Sequence, residues 1–255
     1  MRWPIRNEAR RAQVVPVTIP IRDLHPSLDG FKIVQMTDFH LYPYTQPELI
    51  QQAVELCNER HPDLAVLTGD YVWLRAEAID ELAQILSGIQ AKHGMFAVVG
   101  NHDIWAGVET ILSGLRRHGI PVLINEGVLI AEGGGSLYLA GLDDGQSGNA
   151  DLGKALQNAP DGVPVILLLH EPDLADQTSL DRRIILQLSG HTHGGQVRVA
   201  RLGPMILPYL GRKYDLGLYR INEMWLYTSG GIGTISVPFR YHCPPEVSEI
   251  TLRRE

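Results

Sequence analysis

Five polar clusters, each directly behind a short apolar run, constrain this 255-residue chain more than anything else in it. They are Asp38-Phe39-His40, Gly69-Asp70, Gly100-Asn101-His102-Asp103, His170-Glu171 and Gly190-His191-Thr192-His193-Gly194-Gly195-Gln196. The runs before them, residues 32–37, 64–68, 95–99, 165–169 and 184–189, read as strands, and 64–68 and 95–99 are almost continuously apolar, as suits strands buried on both faces. Ligand crevices in α/β sheets form at the carboxyl ends of strands, so this order predicts that all five clusters meet at one edge. Taken singly, each would read as an ordinary polar turn.

Helical stripes lie between the runs. Ile50, Ala53, Val54 and Cys57 recur at i, i+3, i+4, i+7, and Ile79, Leu82, Ala83 and Leu86, then Val108, Ile111, Leu112 and Leu115, repeat that spacing. Thr45-Gln-Pro-Glu48 predicts a capping box at the head of the first helix. Further strands are expected at 137–140, 196–199, 224–228 and 247–252. Alternating strand and helix give an α/β class, a layered sandwich of mixed sheets. No Ser/Pro-rich or Gly/Ser-rich linker interrupts it, so residues 13–255 read as one domain behind a solvated basic tail of residues 1–12.

Charge and hydropathy remove several function classes. Lys+Arg 22 against Asp+Glu 29 gives a net charge of −7, which argues against an extended face for duplex nucleic acid. No run approaches the roughly 18 apolar residues that span a bilayer. The basic start is followed by no apolar segment of signal-peptide length, which predicts a cytoplasmic placement. Cys57 and Cys243 are a single pair, expected to be reduced and partly buried rather than a disulfide framework.

The clusters carry metal-site chemistry. In an extended backbone, residues i and i+2 point the same way, so Asp38 and His40 can face one ion together, as can His191 and His193. Neighbouring glycines let the backbone come close. Carboxylates, an amide and imidazoles with no thiolate near them exclude a Cys-based zinc module and suit Mn, Fe or Zn.

This order of motifs, D-x-H, G-D, G-N-H-D, H and G-H-x-H from Asp38 to His193, closely resembles the calcineurin-like metallophosphoesterase superfamily. Its spacing and G-H-T-H-G-G-Q ending look most like the bacterial membrane-associated phosphodiesterase subgroup, which includes enzymes acting on nucleotide-linked lipids. The resemblance implies a four-layer αββα sandwich with a dinuclear metal site at the strand ends. It implies that Asp38, His40 and His193 hold one divalent ion, that Asn101, His170 and His191 hold the other, and that Asp70 bridges them. It further implies that His102 contacts the phosphate or protonates the leaving group and that Asp103 orients it. Chemically, two such cations need a shared carboxylate, and they turn a bridging water into a hydroxide that attacks phosphorus in line with the leaving oxygen. The expected activity is hydrolysis of a phosphodiester or pyrophosphate, with a nucleotide-linked lipid as one substrate. A nuclease acting on nucleic acid ends, and a non-catalytic scaffold of the same fold, are the alternatives.

Fainter signals remain. The Gly148–Lys154 stretch lacks the Ser or Thr of a phosphate-binding loop, and Gly134-Gly-Ser-Leu-Tyr138 is not a nucleophile elbow. Gly230-Gly-Ile-Gly233 with Arg240 suggests a flexible loop that carries a cation to a phosphate, and Asn101 and Gly194 are further substrate-contact candidates. Gln196 is expected to support an imidazole and is a substrate-contact candidate too. His25, His61, His93, His118 and His242 read as surface or packing residues. Arg2, Arg6, Arg10 and Arg11 against Glu8 give the tail a charge suited to peripheral contact with an anionic membrane.

Overall fold

The computed structural model describes residues 7–200 and 202–255. In chain order the strands are β1 (Gln13–Ile21), β2 (Lys32–Met36), β3 (Leu64–Thr68), β4 (Met95–Val98), β5 (Glu126–Glu132), β6 (Gly135–Gly141), β7 (Val165–Leu168), β8 (Ile184–Ser189), β9 (Arg198–Val199), β10 (Gly203–Pro204), β11 (Gly217–Ile221), β12 (Met224–Thr228) and β13 (Glu246–Arg254). The helices are α1 (Pro47–Glu59), α2 (Ile79–Leu86), α3 (Asn101–Arg117), α4 (Leu152–Leu156) and α5 (Ala175–Thr178). The two large sheets run β1-β13-β2-β3-β4 and β11-β12-β8-β7-β6-β5, both mixed, and β9 and β10 pair as a separate two-stranded ribbon.

Alternation along the strands explains the layering. In β7, Ile166 and Leu168 face the core between the two sheets, where Ile33, Val66 and Ile250 also lie, while Val165 and Leu167 pack outward against Ala155 and Ala175. Val34 and Met36 of β2 turn outward to Ile50, Ala53, Leu82 and Leu115 of the three long helices. A strand with period 2 and apolar residues on both faces must be covered twice, so helices lie outside each sheet and the expected four-layer αββα sandwich results. The stripes read for α1 and α2 are all buried.

Because β2, β3 and β4 are parallel, as are β7 and β8, their carboxyl ends open onto the gap between the sheets. Gln35 spans that gap, donating from Nε2 to Ser189 O and Thr68 Oγ1, both at 2.9 Å.

Several local expectations are corrected. α1 starts at Pro47 behind Gln46, with no side-chain cap, and Thr45 Oγ1 instead accepts from Thr234 N–H. The strand expected over 196–199 shrinks to β9, because Gln196 has φ +55°. β1 was illegible: Pro16 and Pro20 argue against a strand, yet an edge strand paired only with β13 tolerates them. The tail reading fails for residues 7–12, since Glu8 N–H donates to Arg240 O, Asn7 to Pro238 O, and Ala12 N–H to Gln52. Arg2 and Arg6 lie outside the described residues. Both cysteines are free and buried. Among the described residues no helix is long and apolar enough to cross a membrane.

Candidate metal centre

Asp38 and His40 follow β2, Asp70 follows β3, Asn101 and His102 open α3 behind β4, His170 follows β7, and His191 and His193 follow β8. Asp38, His40, Asp70, His191 and His193 all have φ between +44° and +73°. Five non-glycine residues in the left-handed region at one place mark backbone strain that the surrounding fold must hold. The extended geometry expected for Asp38-Phe39-His40 is therefore wrong, although the two side chains do converge.

The gathering is tight and buried. Asp38, His40 and His193 form one group whose donor atoms lie within 4.8 Å of one another, and Asp38, Asp70 and His170 form a second. His40 Nε2 is 3.3 Å and His170 Nε2 3.2 Å from Asp70 Oδ2, so Asp70 stands between imidazoles from the two sheets. Asp38 Oδ1 is 3.3 Å from His193 Nε2 and 3.9 Å from both His40 and His170, so it too faces both sides. His191 and His193 separate: the His191 ring sits 5.0 Å from that of His170, the His193 ring 4.8 Å from that of His40. Asn101, His102 and His191 join Asp70 and His193 around a cavity of about 220 Å³.

The donor set fits cations on three counts. His40 Nε2 and His193 Nε2 face each other at 3.0 Å beside two carboxylates, an arrangement that a cation satisfies better than one shared proton. Asn101 Oδ1 is buried without a hydrogen-bond partner, and His170 Nε2 has only the Asp70 carboxylate beside it, at 3.2 Å and poorly aligned. The other nitrogen of two rings is held by a carbonyl, His170 Nδ1 at 2.6 Å from Thr68 O and His191 Nε2 at 2.7 Å from Tyr209 O, which is how ligating imidazoles are oriented.

Electrostatics follow from burial. Burial raises Asp38, whereas Asp70, although equally buried, is held well below the ordinary carboxylate value by His170 and His40. His170 in turn is held well above its ordinary value, against its burial, by Asp70 and Asp38. Burial pushes His102 down to about 4 and His191, with His170 beside it, also to about 4.

Glycines allow the close approach. A Cβ on Gly100 would overlap Asp70 Oδ1 and come within 2.9 Å of Asp70 N and His170 Cδ2, and one on Gly190 would overlap Asp38 Oδ2.

Three roles read from sequence change. Asp103 does not reach the His102 ring; it takes N–H groups from Asp70 and Gly100 on Oδ2 and from Tyr71 on Oδ1, each at 2.9 Å, and so fixes the Asp70 turn. Burial and Asp70 push Asp103 up to about 7, against those donors. His102 is instead framed by Trp73, stacked at 4.6 Å, and Trp105, edge-on at 4.7 Å. Arg240 is fully buried rather than carried on a flexible loop, and backbone carbonyls take up its guanidinium. Its guanidinium donates to Gly233 O, Gly230 O at 2.9 Å and Cys243 O at 3.1 Å, and lies 3.3 Å from His193 Nδ1. Gln196 meets no imidazole: its amide clamps Ile235 and Val237.

Sequence reasoning missed Trp73 and Tyr209, since an aromatic residue on a loop carries no spacing signal, and Trp105, which lies near the start of α3 and is largely exposed. It also missed Gln146, whose Nε2 is 3.3 Å from His191 Nε2.

Comparison with known proteins agrees with this geometry. Residues 31–195 match the family model described as calcineurin-like phosphoesterase. The metallophosphoesterase YkuE of Bacillus subtilis is 35% identical over 232 residues, covering 88% of this chain and 80% of that protein. Phosphodiesterase YaeI of Escherichia coli is 33% identical over 226 residues, covering 87% and 82%. Among solved structures, the 5′-nucleotidase precursor of Thermus thermophilus superposes with a TM-score of 0.55 at 13% identity, over 88% of this chain and 54% of that one, a likeness of fold alone.

Proposed function

The chain belongs to the calcineurin-like phosphoesterase family and is a metal-dependent phosphoester hydrolase, and we propose that it cleaves phosphodiester or pyrophosphate bonds by in-line attack of water at a two-metal centre. Asp38, His40 and His193 would hold one divalent ion, Asn101, His170 and His191 the other, and Asp70 would serve both. The observation that carries it is the pair of facing ring nitrogens, His40 and His193, 3.0 Å apart beside two buried carboxylates.

When bound, two such ions supply positive charge to the phosphoryl oxygens and acidify the attacking water. The rest falls to the chain. Asp70 is aimed by Asp103, through the N–H groups of Asp70, Tyr71 and Gly100, and by the His102 N–H at 2.9 Å from Asp70 Oδ1. The His102 ring, bonded to the Trp73 backbone, is neutral at neutral pH and lines the cavity where the phosphoryl group would sit. A phosphate anion against that ring raises its pKa, so the same group can then protonate the leaving oxygen. Trp105, Pro208 and Tyr209 wall the cavity and limit water around the reacting group.

Two narrower parts belong to the same proposal. A nucleotide-linked lipid as substrate is supported by the motif order and by an apolar cavity beside the centre. Peripheral contact of the basic N-terminus with an anionic membrane is supported by charge alone.

The test is metal analysis of the purified protein joined to turnover of bis(p-nitrophenyl) phosphate, p-nitrophenyl phosphate and a nucleoside diphosphate ester. Two equivalents of divalent metal, loss of activity on chelation and recovery with Mn, Fe or Zn are expected. Full turnover by protein verified to be metal-free overturns the reading.

A further inference from the structure

A second cavity, of about 500 Å³, adjoins the centre and shares His193, Pro208 and Ile235 with the smaller one. Its volume falls within the range of small-molecule sites. Val197, Met205, Ile206 and Val237 complete its apolar wall. Met205, Ile206 and Val237 are 63%, 81% and 48% exposed, so the cavity opens to solvent through an apolar mouth.

The wall makes little polar demand on a ligand. Thr192 Oγ1 donates to Asp215 O and accepts from Gly194 N–H, and the Gln196 amide is spent on Ile235 and Val237. Among the described lining side chains, that leaves the Ser236 hydroxyl at the exposed edge and the His193 ring, which faces the centre. A sugar or a base would leave its own polar groups unpaired here, whereas a hydrocarbon chain would not.

We infer that this cavity is the subsite for an alkyl or acyl chain of the substrate, an amphiphile whose phosphate lies at the centre while its chain passes His193. The assignment rests on the phosphodiester or pyrophosphate reading of the centre and adds to it the side chains that select the substrate. Continuity through His193, Pro208 and Ile235 is what ties the chain to the reacting phosphate rather than to a separate ligand.

The test uses p-nitrophenyl alkyl phosphodiesters from methyl to dodecyl, each below its micellar concentration. We expect kcat/KM to rise about two- to fourfold per methylene until the cavity is filled. Val197→Trp, which fills the cavity, and Ile206→Asp, which charges its exposed mouth without touching the core, should each cut the dodecyl-to-methyl ratio at least tenfold. Calorimetry of dodecyl phosphate against methyl phosphate, on metal-loaded and metal-stripped protein, should show tighter binding of the long chain with a negative heat-capacity change. Turnover independent of chain length overturns the subsite and leaves the hydrolase standing. Chain-dependent binding that Val197→Trp abolishes, with no ester hydrolysed, upholds the subsite and removes the reading of the centre. A chain-length effect seen only on vesicles and untouched by Val197→Trp assigns the face to a lipid surface and overturns the subsite.

Discussion

Gly100→Ala isolates the geometry of the centre from every other consideration. Gly100 has φ −120° and ψ 176°, an extended conformation open to alanine, so backbone strain contributes nothing. The loss must come from the methyl group, which would overlap Asp70 Oδ1 and meet Asp70 N and His170 Cδ2 at 2.9 Å. Asp70 cannot swing away freely, because its N–H is held by Asp103 and its Oδ1 accepts from the His102 N–H. Overpacking of this kind costs about 1–3 kcal/mol. Weakening the His102 bond adds about 1 kcal/mol. Together they lower the melting point by roughly 4–15 °C for a domain of this size. The effect on catalysis is larger in proportion, because displacing a positioning group by about 1 Å can slow turnover roughly 100-fold. Turnover of bis(p-nitrophenyl) phosphate, metal content and thermal unfolding are measured side by side. Gly153→Ala is the control: its Cβ meets only Asp151 Oδ1 at 3.4 Å, and it should be neutral or slightly stabilising. Gly100→Ala protein with wild-type turnover, metal content and melting point would refute the argument.

Asp70→Asn should lower retained metal at both positions, whereas His102→Ala should keep metal content and slow turnover by roughly 10²–10⁴; metal loss in His102→Ala would make it a ligand instead. Arg240→Lys keeps the charge but loses the planar fork that serves three carbonyls and faces His193, at a cost of about 2–4 kcal/mol in denaturant unfolding. An unchanged unfolding midpoint would show that fork to be idle. The depressed His102 ring gives a pH test in metal-stripped protein, with other groups cancelled by comparing wild type with His102→Ala. The unfolded wild type takes up a proton on this ring as pH falls through 6.5, while the folded state waits until about 4. Wild type should therefore lose about 1.4 kcal/mol per pH unit relative to the variant between those values, about 2 kcal/mol from pH 6.5 to pH 5. A difference that stays constant from pH 7 to pH 5 contradicts the shift.

What was legible in the sequence is what local periodicity encodes. Apolar runs buried on both faces and stripes at helical spacing set the strand and helix order, and parallel strands put their carboxyl ends at one edge. That is why the five clusters could be expected at one edge, whereas the choice of Asp38, His40, Asp70, Asn101, His170, His191 and His193 as metal ligands came from the resemblance to the calcineurin-like superfamily. Tertiary structure decided what depends on neighbours distant in sequence. It turned Asp38 and His40 into the left-handed region, and it parted His191 from His193, because the packing of one sheet on the other, not the i, i+2 rule, selects each ring's partners. It buried Arg240, which reads as a loop cation, among the carbonyls of Gly230, Gly233 and Cys243. It gave Asp103 to three backbone N–H groups, since a carboxylate in the first turn of α3 reaches back to the turns beside it before it can reach a ring one residue away. The apolar cavity is the extreme case. Its walls come from residues 192–197, 205–208 and 235–237, segments with no shared period, and only their packing against one another makes a continuous surface beside the centre.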